Sequence, residues 1–155
     1  QERMEGKLLS EGDRYRLEME NNLFVSDGIT AWAYMGSFDE VHISHADDAD
    51  MGFSPTALLD EFESRFRAAY AGTEKFQGRN IHLIDLFPTD NQAFTKYRLA
   101  LDSSDHMPVF SVAWDRHGGT YTYTLKRIRT NIEIQGNSFR FLLSDFPGAE
   151  VIDLR

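Results

Sequence analysis

The chain has 155 residues, 41% hydrophobic, 13% aromatic and 26% charged, a composition that supplies one packed core and is not that of a disordered segment. A formal net charge of -9 disfavours nucleic acid and stable membrane insertion or docking, since phosphate backbones and anionic headgroups are usually met by a basic patch. The absence of cysteine excludes thiol redox chemistry and thiolate metal sites, and no apolar run reaches the roughly 18 residues of a spanning helix.

Gln1 is not an initiator residue, so a processed or trimmed chain is expected. Gly6 to Leu9 and Arg14 to Glu20 read as paired strands around a turn at Ser10 to Asp13, because Tyr15, Leu17 and Met19 alternate with Arg14, Arg16, Glu18 and Glu20. Leu23 to Val25 and Thr30 to Met35 flank Asp27-Gly28, where glycine accepts the positive φ of a hairpin turn, and Glu40 to Ile43 continues the meander. After an acidic loop from His45 to Met51, Ser54-Pro55 caps and opens a helix. Leu58, Leu59, Phe62 and Phe66 fall on one side of it, with Asp60, Glu61 and Glu63 on the other.

Strands resume at Arg67 to Tyr70, Asn80 to Phe87, Lys96 to Asp102, Pro108 to Asp115, Thr120 to Arg129 and Phe139 to Phe141. Turns at Gln77-Gly78-Arg79 and His117-Gly118-Gly119 separate neighbours. Ile81 to Leu86 and Val109 to Trp114 are apolar on both faces, which places them where the sheet meets a helix or a second sheet. With no repeat, low-complexity tract or Pro-rich linker, one domain over 1–155 is expected. Its architecture is mainly β: a single, strongly curved antiparallel sheet under a helical lid.

His42-Ile43-Ser44-His45-Ala46-Asp47-Asp48-Ala49-Asp50 is the sharpest enzymatic candidate, a metal-dependent hydrolase site using His42 and His45. Residues three apart on a strand point to opposite faces, so one ion reaches both histidines only if the strand breaks between them; a solvated loop is the plainer reading. The aspartates lack the glycine and distal glutamate of an EF-hand loop. No nucleophile elbow or phosphate-cradling glycine loop is present, and neither catalysis nor a cofactor is expected. His82 reads as a satisfied core histidine, and His106 and His117 as solvated turn residues. Asp85 interrupts an apolar strand: a raised-pKa carboxylate if buried alone, or a hydrogen-bonded one.

The aromatic supply is the other candidate. Trp32, Tyr34, Trp114, Tyr121, Tyr123, Phe62 and Phe66 either line a cavity or fill an ordinary close-packed core.

Three segments carry a family resemblance: Gly6-Lys7-Leu8-Leu9 through Arg14-Tyr15-Arg16-Leu17-Glu18-Met19; Val25-Ser26-Asp27-Gly28-Ile29-Thr30-Ala31-Trp32-Ala33-Tyr34; and Ser138-Phe139-Arg140-Phe141 followed by Phe146-Pro147-Gly148-Ala149-Glu150-Val151-Ile152-Asp153-Leu154-Arg155. In order and spacing they resemble the LolA-like outer-membrane lipoprotein carriers of the Bacteroidetes type, with Ser54-Pro55 and Thr120-Tyr121-Thr122-Tyr123 also in place. The resemblance implies an incomplete β-barrel whose concave face, under helices, holds the acyl chains of a lipoprotein crossing the periplasm. An inner-membrane release complex and an outer-membrane acceptor are implied as partners, and the signal peptide as removed.

Two departures accompany the resemblance. The family's domain opens with a helix and a strand ahead of the Gly6 region, which are expected to be absent from this chain, and Glu11-Gly12 stands where proteobacterial carriers have an Arg-Pro pair, whose role is not transferred to Arg14 or Arg16. Under this reading Tyr15, Leu17, Met19, Trp32 and Tyr34 line the concave sheet and Leu58, Leu59, Phe62 and Phe66 face it from the helix. Tyr121, Tyr123 and Leu125 extend the lining, with Phe110, Val112 and Trp114 as further candidates. A related lipid or glycolipid carrier, or a sensor on the same scaffold, is the alternative.

Overall fold

Two sheets carry the residues that a computed structural model of the chain describes, 4–48, 65–89 and 93–155. They belong to two units, one formed by Gln1–Ala57 with Glu133–Arg155 and the other by Leu58–Ile132.

The first unit holds a six-stranded sheet built mostly from hairpins: β1 (Gly6–Glu11), β2 (Arg14–Met19), β3 (Asn22–Ser26), β4 (Thr30–Met35) and β5 (Glu40–His45), each antiparallel to the next. The β3–β4 turn falls at Asp27-Gly28, as expected. The Asp27 carboxylate accepts the backbone N–H groups of Ile29 and Thr30 at 2.9 and 2.8 Å, and Gly28 takes φ +92. The sixth strand, β11 (Glu150–Asp153), lies parallel on the outer edge of β5, with Glu150 N–H donating to Asp39 and Leu154 N–H donating to Ile43, both at 2.8 Å.

On one face of this sheet Val25, Val41 and Ile43 pack with Phe141, and Leu23, Trp32, Tyr34, Phe146 and Ala149 surround them. Phe139 and Phe141 are buried outside any strand, which corrects the strand expected at Phe139 to Phe141: the segment alternates because it inserts two rings into the core, not because it pairs.

The second unit holds a five-stranded antiparallel sheet in the order β10 (Thr120–Thr124), β9 (Pro108–Asp115), β8 (Phe94–Asp102), β7 (Arg79–Pro88) and β6 (Phe66–Phe76). Gln77 and Gly78, at φ 50 and 79, make the two-residue β6–β7 turn whose twist suits a hairpin. On one face Ile81, Leu83, Ala100 and Val109 form a core with Phe76 and Phe110.

The single curved sheet of the sequence reading is therefore corrected to two. The edge of β5 where the next sequential strand would pair is taken by β11, so the meander stops there. Leu58, Leu59 and Phe62 lie outside the described residues. Phe66, expected to close the helix, instead opens β6, where Tyr97 packs edge-on against its ring. Helical structure among the described residues is confined to Arg65 and the 3-10 turns Ala46–Asp48 and Leu143–Asp145, so no helical lid is part of the described fold. β10 ends at Thr124, short of the expected Arg129.

Candidate functional site

Strand register decides which side chains share a face. In the first sheet Leu8 pairs with Leu17, Leu17 with Phe24 and Phe24 with Ala33, while Ser10 pairs with Tyr15 and Asn22 with Met35. Tyr15, Leu17 and Met19 thus share one face with Leu8, Phe24, Ala31, Ala33 and Met35. Most of these are half-buried, none belongs to the Val25 core, and burial pushes the Tyr15 hydroxyl up to about 12.

Trp32 and Tyr34 are on the opposite face, because Trp32 pairs with Val25 and Tyr34 with Leu23. Trp32 stacks on Phe141 with ring centroids 6.0 Å apart, and Tyr34 meets Phe146 at 4.2 Å while its hydroxyl donates to Asp39 at 3.1 Å. The expectation that Trp32 and Tyr34 share a lining with Tyr15, Leu17 and Met19 is corrected: they pack under the chain's own C-terminal segment. The face-mates that sequence reasoning missed are Leu8, Phe24 and Met35, whose signal was their alternation with the charged and core residues beside them.

In the second sheet the expected residues also divide. Tyr121 and Tyr123 pair with Ala113 and Ser111, which pair with Tyr97 and Leu99, and these with Leu86 and Ile84. This face carries a chain of rings: Phe66 on Tyr97 at 5.6 Å, Phe94 on Tyr97 at 5.5 Å, and Phe94 on Tyr121 at 5.8 Å. Desolvation raises the Tyr123 hydroxyl pKa, whereas Tyr121 is raised chiefly by donating to Asp115.

Phe110, Val112 and Trp114 stand on the other face, since Phe110 pairs with Ala100, Val112 with Arg98 and Trp114 with Lys96. Phe110 packs on Phe76. Beside Val112 and Trp114 the Asp85 carboxylate, 8% exposed, accepts two hydrogen bonds from Arg98 at 2.6 and 2.9 Å and pairs with Lys96 at 2.9 Å, while the Lys96 ammonium lies 5.0 Å over the Trp114 ring. The Arg98 bonds outweigh burial and hold Asp85 at about 2, the reverse of the shift that solitary burial gives. A single lining made of both β9 and β10 residues is corrected accordingly. Leu125 follows β10 and is half-buried, its N–H donating to Val109 at 2.9 Å.

β5 is continuous from Glu40 to His45, so His42 and His45 point to opposite faces, and the His42 ring is 2.9 Å from Glu40. Among the described residues no three histidine, aspartate or glutamate side chains gather to hold a metal ion.

These features define a β-sheet protein with an apolar face on each sheet and no constellation of reacting groups among the described residues. The family model described as outer membrane lipoprotein carrier protein LolA matches residues 2–142, and the chain belongs to that family. No curated protein matches the chain. Among solved structures it is similar to an uncharacterized conserved protein from Thermus thermophilus, at 14% identity and a TM-score of 0.62, covering 97% of this chain and 82% of that one; this likeness is one of fold. A lipoprotein-sorting protein domain from Vibrio parahaemolyticus is 18% identical with a TM-score of 0.48, over 83% of this chain and 64% of that one. A LolA superfamily protein from Nitrosomonas europaea is 13% identical with a TM-score of 0.40, over 76% and 58%.

Proposed function

We propose that the protein is a periplasmic, non-enzymatic carrier that shelters the acyl chains of lipoproteins during transfer from the inner to the outer membrane. The supporting observation is the Tyr15 face of the first sheet. Leu8, Tyr15, Leu17, Met19, Phe24 and Met35 lie together there, half-exposed at most positions, while the opposite face is closed by Phe141 and Phe146. Hiding an acyl chain is worth about 0.8 kcal/mol per methylene, so an acylated protein leaves a bilayer only into a comparable apolar shelter. Broad contact through Leu, Met and aromatic side chains supplies that and still permits release.

Tyr121 and Tyr123, with the half-buried Phe94 ring that rests on buried Tyr97, are a second acyl surface in this proposal. Phe110, Val112 and Trp114 are left out, because the charged Asp85, Lys96 and Arg98 share their face. Hand-over between a release complex and an outer-membrane acceptor belongs to the same proposal. A glycolipid carrier or sensor would use the same face, and bound cargo separates them. Mass spectrometry of the protein isolated from its native periplasm should find acylated proteins with it. Recovery without any acyl-bearing molecule, together with no binding of a fluorescent acyl probe, would overturn the reading.

A further inference from the structure

A recess of about 450 Å³, within the size range of small-molecule sites, opens in the first unit where β1 and β2 meet the segment 137–145. Lys7 and Leu9 of β1 and Arg16 and Glu18 of β2 line its sheet side. They stand on the Val25 face, since Arg16 pairs with Val25 and Glu18 with Leu23, and therefore away from the Tyr15 face. From the segment, Phe139 and Phe141 are buried, and the residues that alternate with them, Ser138, Arg140 and Leu142, line the recess instead.

Its charges do not all find partners. Glu18 is across from Lys7 in the register but is taken by Arg16, whose Nε donates to it at 2.6 Å. The Lys7 ammonium, the Arg140 guanidinium and the Asp145 carboxylate line the same recess with no ion-pair partner among the described residues. A chain of net charge -9 thus has a concave place where two uncompensated cations meet one carboxylate, and concavity focuses their field. A planar carboxylate suits one guanidinium fork, whereas oxygens that must reach Lys7 on the sheet and Arg140 on the segment are better supplied by a tetrahedral phosphoryl group, with the Asn137 amide and Ser138 hydroxyl as further donors. Asp145 disfavours a dianion there and favours a ligand that also carries a cation. We propose that this recess binds a phosphodiester with an ammonium-bearing arm, its phosphate between Lys7 and Arg140, its ammonium at Asp145 and its methylenes over Leu9 and Leu142. The site does not rest on the carrier reading, because it is on the other face of the sheet.

The test is calorimetric titration at low salt with three probes: glycerophosphoethanolamine, inorganic phosphate, and dihexanoylphosphatidylethanolamine below its micellar concentration. The wild type should bind glycerophosphoethanolamine about fivefold or more tightly than phosphate. Lys7→Gln and Arg140→Gln should each weaken it about fivefold or more, the worth of one hydrogen bond to a charged group. Asp145→Asn should act with opposite signs, weakening glycerophosphoethanolamine and strengthening inorganic phosphate. All three side chains are exposed, so the variants should unfold near the wild-type midpoint. Tighter binding of the dihexanoyl lipid than of the soluble diester would identify a phospholipid headgroup as the source, weaker binding a soluble diester, and both support the site. No binding of any probe, or affinities that Lys7→Gln and Arg140→Gln leave unchanged, would overturn it. A change of the same sign for both soluble probes in Asp145→Asn would overturn the place given to the ammonium. The acyl-probe measurement decides the carrier reading separately, whatever these titrations show.

Discussion

Leu17 and Trp32 lie on opposite faces of one sheet. Leu17 pairs with Phe24 and Phe24 with Ala33, so Trp32, one residue earlier, projects through the other side and stacks on Phe141. The two faces carry separable tasks, folding on the Trp32 side and the proposed binding on the Leu17 side, and substitutions should separate them.

Phe141→Ala removes a ring that contacts Trp32 and Phe146 and is 8% exposed. Loss of transfer energy plus the cavity left behind should lower stability by about 3 kcal/mol. Denaturant unfolding followed by tryptophan fluorescence measures this. A midpoint close to wild type would mean that the C-terminal segment does not close the Trp32 face.

Leu17→Glu places a charge between the exposed Leu8 and the half-buried Phe24, its partners in one row. The side chain keeps enough access to water that stability should fall by only about 1 kcal/mol, whereas a carboxylate amid the proposed acyl contacts should weaken binding of an acyl probe at least about tenfold. Titration of that probe checks the claim, with circular dichroism confirming the fold. Unchanged affinity in a folded variant would remove this face from the proposed site.

The hairpins were legible because each is local: alternation names the strands, and Asp27-Gly28 or Gln77-Gly78 names the turn. The faces were harder, because parity between strands depends on loop length. The four residues from Asp27 to Thr30 set Ser26 opposite Ala31, and that register sends Trp32 away from Leu17. β11 was not legible at all, since a short parallel strand announces itself by no turn and finds its partner only through a contact distant in sequence. Asp85 was visible as an anomaly in an apolar strand, but its state depends on Lys96 and Arg98 across the β7–β8 pair.

The Asp85 pair should give stability an acid dependence of defined sign. Its folded pKa of about 2 lies below the ordinary value of 3.8, so the folded state holds fewer protons than the unfolded state between those values. The stabilisation, about 2 kcal/mol, is complete above the unfolded pKa and is lost as pH falls from about 4 toward 2. Asp85→Asn should be less stable than wild type at neutral pH and should lack that portion of the decline. Parallel stability curves for the two proteins across this window would show that the pair contributes nothing to acid sensitivity.

β11 protects an edge, and its removal should show what it protects. Glu150 to Asp153 pair with Glu40 to Ile43 along β5, the strand that supplies Val41 and Ile43 to the core. A chain ending at Ala149 keeps Phe141 and Phe146 but leaves the outer N–H and C=O groups of β5 without their partners, an edge open to pairing with another copy. Such a truncation should unfold at lower denaturant and form dimers or larger species at raised concentration, read by light scattering coupled to size exclusion. Substituting Val151→Lys in the full chain, where that side chain is 49% exposed, should leave both the association state and the midpoint near wild type, because the backbone pairing remains. A truncated protein as monomeric and as stable as the full chain would mean that β5 needs no cover on that side, and the account of why the first sheet ends there would be wrong.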